Sequence, residues 1–160
     1  MAGIINTFIA SVMNYNIEKA RALQSALRTA ITNNRRDTII FYGKGANGKS
    51  ALSNAINNVI HDTGSLYIMY VEDNLLDVLE NRDNIQSSLL IVTKEIPENS
   101  KAIQDCILFS FDRIFTYDTT LIEKNPETYS LRDPEFVDSF TNSRVELLAW
   151  IKDGRGFYTG

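Results

Sequence analysis

The fold is decided by the stretch Thr38-Ile39-Ile40-Phe41-Tyr42-Gly43-Lys44-Gly45-Ala46-Asn47-Gly48-Lys49-Ser50. Its first five residues are β-branched or aromatic, which is typical of a buried strand. The glycine-rich turn that follows opens into residues 51–60, whose apolar members recur at helical spacing. Strand, glycine-rich turn and helix in this order predict a phosphate-binding loop in an α/β protein.

The residue types in this loop suit a phosphate group. Glycines let the backbone fold around an anion, so that peptide N–H groups and the positive end of the helix dipole meet it. Lys49 would reach the β- and γ-phosphates of a nucleotide, and the Ser50 hydroxyl would hold Mg²⁺. We therefore expect ATP and Mg²⁺ as cofactors. The predicted cofactor-binding residues of the loop are Gly43, Lys44, Gly45, Ala46, Asn47, Gly48, Lys49 and Ser50.

The composition of the 160 residues is that of an ordinary globular chain, with 44% hydrophobic and 22% charged residues. A net charge of −4 argues against a broad basic face that coats nucleic acid. Cys106 has no cysteine partner, and one cysteine with one histidine, His61, cannot build a zinc site. Residues 4–13 lack the charged start of a secretory signal and are too short to span a bilayer. We expect an intracellular protein without membrane association.

The chain is interpreted as one domain, with an N-terminal helical segment at 1–33 and a P-loop ATPase core at 34–160. Apolar residues at helical spacing predict two N-terminal helices broken near Asn14-Tyr15-Asn16, with Asn16 as a candidate N-cap. Their apolar faces either pack on the sheet or serve a neighbouring subunit, which would make this segment an oligomerisation element.

Strands and helices alternate after the loop. Buried strands are predicted at 66–71 and 89–93, a short helix at 74–80, and a further strand at 113–117. Residues 121–134 are polar and suit a long surface connection, and Asp133-Pro134-Glu135 starts a C-terminal helical segment that ends near Gly154. The pattern predicts a three-layer αβα sandwich with a mainly parallel sheet.

Hydrolysis of a nucleotide also needs an acidic residue at the end of a neighbouring strand. One candidate is the pair Glu72-Asp73 after the strand at 66–71, with Asp73 as a second Mg²⁺ ligand beside Ser50. The other candidate is Glu95, which follows the strand at 89–93. The sequence leaves both alternatives open.

Three further stretches extend the pattern. They are Ser88-Leu89-Leu90-Ile91-Val92-Thr93-Lys94-Glu95-Ile96-Pro97, Phe111-Asp112-Arg113-Ile114-Phe115-Thr116-Tyr117-Asp118, and Glu146-Leu147-Leu148-Ala149-Trp150-Ile151-Lys152-Asp153-Gly154. Together with the loop, in which asparagine precedes the last Gly-Lys-Ser, they resemble the ATPase domain of superfamily 3 helicases, above all the primase-helicases of large DNA viruses, phages and plasmids. The resemblance runs intermittently from about residue 38 to residue 158.

This resemblance implies ATP hydrolysis at subunit interfaces of a ring, with six subunits as the first expectation, coupled to movement along single-stranded DNA in replication. It also implies a primase or another replication protein as partner, and the cytoplasm or nucleus of a host cell as compartment. Arg113 would be the arginine finger, and Lys94 would stand in the position that senses the γ-phosphate. The catalytic residues predicted in this way are Lys49, Glu72, Asp73, Glu95 and Arg113.

Two departures from the family pattern favour a second interpretation. Lys94 replaces the asparagine of the family's sensor, and the interval from Lys49 to Lys94 is short for an acidic strand, a DNA-contacting hairpin and a sensor strand in series. A nucleotide-binding assembly subunit without helicase activity is therefore the alternative function, and a small P-loop kinase is a weaker one.

Overall fold

A four-stranded parallel sheet lies at the centre of the protein in the computed structural model, which describes residues 3–32, 36–60, 65–97 and 100–154. Its strands are β1 (Thr38–Tyr42), β2 (Leu66–Tyr70), β3 (Ser88–Thr93) and β4 (Ile107–Ser110), in the spatial order β2-β3-β1-β4. Ile40 of β1 pairs with Ile91 of β3 on one side and with Leu108 of β4 on the other. The predicted α/β class with a mainly parallel sheet is confirmed.

Seven α-helices surround this sheet in the described residues. They are α1 (Ile4–Val12), α2 (Ile17–Thr32), α3 (Lys49–Ile60), α4 (Leu75–Glu80), α5 (Thr119–Lys124), α6 (Pro134–Asn142) and α7 (Arg144–Asp153). Short 3₁₀ turns cover Arg82–Asn84 and Lys101–Ile103. No helix of the described ranges is long and apolar enough to cross a membrane.

The two faces of the sheet are covered unequally, because successive side chains of a strand point to opposite faces. Ile39 and Phe41 face a thick layer formed by α1, α2, α3, α6 and α7. Ile40 and Ile91 face a thin layer, in which α4 and the turn at Lys101–Ile103 contribute Leu75, Leu79 and Ile103. The arrangement is compatible with the predicted three-layer sandwich.

The N-terminal helices belong to the same core as the sheet. Phe8 stacks on Phe140 of α6 with ring centroids 3.8 Å apart, and Ile9 and Val12 are fully buried. Asn16 caps α2 by accepting a hydrogen bond from the Lys19 N–H, as predicted. Of the two alternatives, the structure therefore supports the one in which the apolar faces of these helices pack within the chain, and not the one in which they serve a neighbouring subunit.

The region after β3 differs from the sequence-based expectation. The fourth strand of the central sheet is β4. It lies in an apolar run for which no strand was predicted from the sequence. The strand expected at 113–117 is β5 (Ile114–Thr116), which pairs in parallel with β6 (Tyr129–Leu131) in a separate two-stranded sheet. The expected surface connection at 121–134 thus contains β6 and most of α5. His61, considered above with Cys106 for a zinc site, lies outside the described residues.

Candidate nucleotide site

The glycine-rich loop joins the carboxyl end of β1 to the first turn of α3, in the interior of the sheet rather than at its edge. The chain leaves β1 for β2 on one side, whereas β4 lies on the other side of β1. Ligands of open α/β sheets bind at the carboxyl ends of the strands where the chain changes sides in this way. The predicted phosphate loop therefore occupies the expected position of a ligand site.

Two glycines of the loop are required by close approaches. A Cβ at Gly43 would lie 2.5 Å from the carbonyl oxygen of Phe111, and a Cβ at Gly48 would lie 2.5 Å from Cγ1 of Val12. Gly48 also has a φ of +88°, a left-handed conformation that disfavours side chains. The loop is thus packed against both α1 and the segment that follows β4.

Backbone donors of the loop are free to bind an anion. Among the described residues, the N–H groups of Gly45, Ala46, Asn47, Gly48 and Ser50 donate no hydrogen bond. The loop is nevertheless held in place, because the carbonyl oxygen of Ala46 accepts a hydrogen bond of 2.8 Å from the Phe115 N–H. Free N–H groups at the start of a 12-residue helix provide a preformed phosphate site.

Asn47 fixes the shape of the loop from inside. Its side chain is buried, and Nδ2 donates to the carbonyl oxygen of Phe111 over 3.1 Å. Its Oδ1 accepts hydrogen bonds from the backbone N–H of Lys49 at 3.2 Å and from Lys49 Nζ at 3.3 Å. The asparagine therefore connects the loop, its lysine and the segment after β4.

The ammonium of Lys49 lies within the loop, with the residue only 8% exposed. Nζ donates to the carbonyl oxygen of Gly43 over 2.6 Å. Burial lowers the pKa of Lys49, and the nearby positive charge of Lys94 lowers it further. The lysine is bonded to neutral oxygens only, so a phosphate would supply the counter-charge that its surroundings lack.

Ser50 is exposed in the first turn of α3. Its hydroxyl makes no hydrogen bond to the described residues, so it is available to a metal ion. The described residues contain no group of three or more His, Cys, Asp or Glu side chains able to hold a metal.

The acidic candidates lie together at the carboxyl ends of β2 and β3. Glu72, Asp73 and Glu95 line one open cleft of about 430 Å³. Because β3 is the direct neighbour of β1 and β2 is not, Glu95 follows the strand nearer to the loop. Glu95 Oε1 lies 2.6 Å from Nζ of Lys44, so the two residues form a bridge from β3 to the loop.

This bridge shifts the pKa of both of its charged groups. The hydrogen bond from Lys44 lowers the pKa of Glu95, and the same contact raises the pKa of Lys44. Both side chains are mostly exposed, so the pair is worth little to stability. Lys94, the predicted sensor residue, is exposed at the end of β3 and acts on Lys49 through its charge.

Arg113 is not placed as the predicted arginine finger. It is 6% exposed, and its guanidinium donates to Asn14 Oδ1, to Ser130 Oγ and to the carbonyl oxygens of Pro126 and Glu127, at 2.7–2.9 Å. It also lies over the ring of Tyr15, 5.1 Å from the centroid. The guanidinium thus ties the α1–α2 turn to β6 and to the residues before β6 within one chain.

A cavity of about 250 Å³ beside the loop was not anticipated from the sequence. Residues 45–51 form one wall, and the opposite walls come from α1, β5, β6 and α6. The residues contributed by those elements are Phe8, Ser11, Phe115, Leu131, Arg132, Asp133, Phe136 and Val137. Only the Asp133 N-cap carried a local sequence signal, and its place beside the loop depends on contacts far apart in the chain.

Comparisons with known proteins do not assign the chain to a family. Scans against protein-family models and against curated proteins produced no match. The fold defines its class as an α/β protein with a glycine-rich loop at the carboxyl edge of a parallel sheet.

Proposed function

We propose that the protein is a P-loop ATPase that binds Mg²⁺ with ATP at residues 43–50 and hydrolyses it. One observation carries the proposal: five free backbone N–H groups, the Lys49 ammonium and the Ser50 hydroxyl converge at the N-terminus of α3. Backbone donors, a lysine and a metal-binding hydroxyl at a helix start are the groups that phosphate transfer requires.

Each group has a distinct task in this proposal. The backbone N–H groups of residues 45–48 and 50 bind phosphate oxygens, and Lys49 exchanges the carbonyl of Gly43 for the phosphates. Ser50 would hold Mg²⁺, which neutralises phosphate charge when bound. Glu95, or the pair Glu72 and Asp73, orients the attacking water and accepts its proton. Glu95 must first leave its bond to Lys44.

Replacing Lys49 tests phosphate binding. Lys49→Ala is expected to abolish measurable ATP binding and hydrolysis while leaving the fold intact, because it removes a phosphate-facing charge. ATP binding by calorimetry and phosphate release are the measurements. Lys152→Ala, which changes an exposed lysine of α7, is the matched control and should behave as wild type. Hydrolysis at the wild-type rate by Lys49→Ala would overturn the proposal.

The alternative function, nucleotide binding without hydrolysis, is favoured by the engagement of Glu95 with Lys44 and of Arg113 within its own chain. Acid variants separate the two functions. We expect Glu95→Gln to retain ATP and lose hydrolysis, because the amide cannot accept the proton from water. Glu72→Gln combined with Asp73→Asn is the parallel test of the second acidic candidate. Turnover that neither variant slows would show that hydrolysis does not proceed through these acids, whereas wild-type protein that binds ATP without measurable turnover would be a nucleotide-binding subunit.

Movement on single-stranded DNA within a ring, which the resemblance implies, has less support. Residues 71–87 between β2 and β3 form α4 and a 3₁₀ turn, and the described residues between β3 and β4 form a second turn. Neither interval contains a strand in its described part, so no DNA-contacting hairpin is present there. Stimulation of ATP hydrolysis by single-stranded DNA would support the helicase proposal, and its absence would favour the assembly subunit.

A further inference from the structure

We propose that the cavity beside the loop receives the purine base of the nucleotide, and that Asp133 reads the amino group of that base. This inference rests on the proposed function, since the phosphate loop must first hold the triphosphate. It names the part of the site that would select the nucleotide. The position, lining and size of the cavity support this inference, and so does the chemistry of its rim.

The cavity is continuous with the phosphate site. Residues 45–51 line it, and these include the free N–H groups and the Ser50 side of α3. A nucleotide held by its phosphates at this helix start therefore has the cavity directly beside it. The acidic cleft lies on the other side of the loop, beyond β3, and shares no residue with the cavity.

The walls opposite the loop are mostly apolar and partly aromatic, with Ser11, Arg132 and Asp133 as their polar residues. Phe115 and Phe136 are half-buried there, together with Val137. Leu131 at the end of β6 also lines the cavity. It is 59% exposed, so a polar residue would be tolerated at this position, and yet the residue is apolar. Aromatic and aliphatic side chains of this kind cover the faces of a flat base and shield it from water.

The size of the cavity suits part of a nucleotide. Its volume of about 250 Å³ lies below the roughly 300–1,000 Å³ that encloses a complete drug-sized ligand. The loop that would hold the triphosphate forms one wall of the cavity, and the opposite walls are left to the rest of the nucleotide. The base is therefore the fragment that would lie against those opposite walls.

Asp133 gives the cavity rim a directional acceptor. Its Oδ1 caps α6 by accepting a hydrogen bond of 3.1 Å from the Phe136 N–H, and Oδ2 has no hydrogen-bond partner in the described residues. A carboxylate accepts hydrogen bonds and cannot donate them. It therefore favours a base with an exocyclic amino group, such as adenine, over hypoxanthine, which presents a carbonyl oxygen at that position.

Calorimetric titration with three probes tests the inference: the Mg²⁺ complexes of ATP, ITP and inorganic tripolyphosphate. Leu131→Ala should weaken ATP binding roughly tenfold, the lower end of the effect of a lost methylene group in an apolar pocket, and leave tripolyphosphate binding unchanged. Val145→Ala is the matched control, because Val145 is an exposed apolar residue on α7 outside the cavity. Val145→Ala should change the binding of neither ATP nor tripolyphosphate.

Asp133→Asn keeps the helix cap, because asparagine caps as well as aspartate does, and replaces one acceptor by a donor. It should shift the preference for ATP over ITP by roughly tenfold, about 1.4 kcal/mol. Equal binding of ATP by wild type, Leu131→Ala and Asp133→Asn would overturn the inference while leaving the phosphate site in place. A wild-type protein that binds neither ATP nor tripolyphosphate would overturn the proposed function as well.

Discussion

Lys49 carries a charge that its surroundings destabilise. Burial and Lys94 lower its pKa in the empty loop, and bound phosphates would raise it again. Below the lowered pKa the lysine is protonated in both states, so this group adds no pH dependence. Between the two pKa values, binding takes up a proton, and ATP affinity must fall as the pH rises. We expect this decline at lower pH than for an ordinary exposed lysine.

The measurement is ATP affinity from neutral pH upward, with proton uptake obtained from calorimetry in buffers of different ionisation enthalpy. Lys49→Arg is the control, because a guanidinium stays charged over this range. Any decline that persists in Lys49→Arg belongs to other groups, such as the Lys44–Glu95 pair. Affinity that rises with pH in wild type would contradict the prediction.

At the scale of single residues, the sequence predicts those whose chemistry is local. Lys49, Ser50 and the loop glycines were found because phosphate binding requires these residue types at adjacent positions. The intrachain partners of Arg113, which are Asn14, Ser130 and two carbonyl groups, could not be predicted because they come from distant parts of the chain. Leu131 was missed for the same reason.

Helix α1 supports the loop through a close contact between Val12 and Gly48. Gly48→Ala should lower the free energy of unfolding by about 2–4 kcal/mol, because it combines backbone strain with overpacking. In a Val12→Ala background, the loss of unfolding free energy caused by Gly48→Ala should be smaller by about 1 kcal/mol. The shorter side chain relieves the overpacking but not the backbone strain. Chemical denaturation measures both values.

Gly45→Ala is the matched control for this prediction. Gly45 has a similar φ of +87°, but its added Cβ would meet no atom within 4 Å. We expect only the backbone cost there, about 1–2 kcal/mol, and no dependence on Val12. Equal costs at Gly45 and Gly48, both insensitive to Val12→Ala, would show that α1 does not support the loop.

The elements that the sequence predicted have long or capped patterns. α2 and α6 were located by apolar spacing and by their caps Asn16 and Asp133, which the structure confirms. β4 was missed because it has four residues and its identity as a strand depends on pairing with β1. The break between α6 and α7 at Ser143 was also not anticipated, since their apolar residues continue across it.

The whole molecule determines whether one subunit completes the site of another. Arg113→Ala should lower the free energy of unfolding by about 2–4 kcal/mol, because it leaves buried acceptors without a donor. Mixed with Lys49→Ala protein, it should give no more hydrolysis than the two variants give separately, because the guanidinium serves its own chain. Denaturation and ATPase assays of the mixture, with each variant alone as control, are the measurements. Recovery of hydrolysis would restore Arg113 as a finger across an interface.

The order of the strands also dictates when the loop can take its final form. β1 pairs with β3 and β4, both of which are synthesised much later than the loop, and the segment after β4 supplies Phe111 and Phe115 to hold it. Pairings between such distant segments make folding slow. A growing chain whose residues 107–115 have not yet emerged from the ribosome cannot form the loop in its final conformation. Because a ligand that binds only the native state stabilises only that state, the ATP of the proposed function would stabilise the fold only after residues 107–115 have been synthesised and have reached the loop.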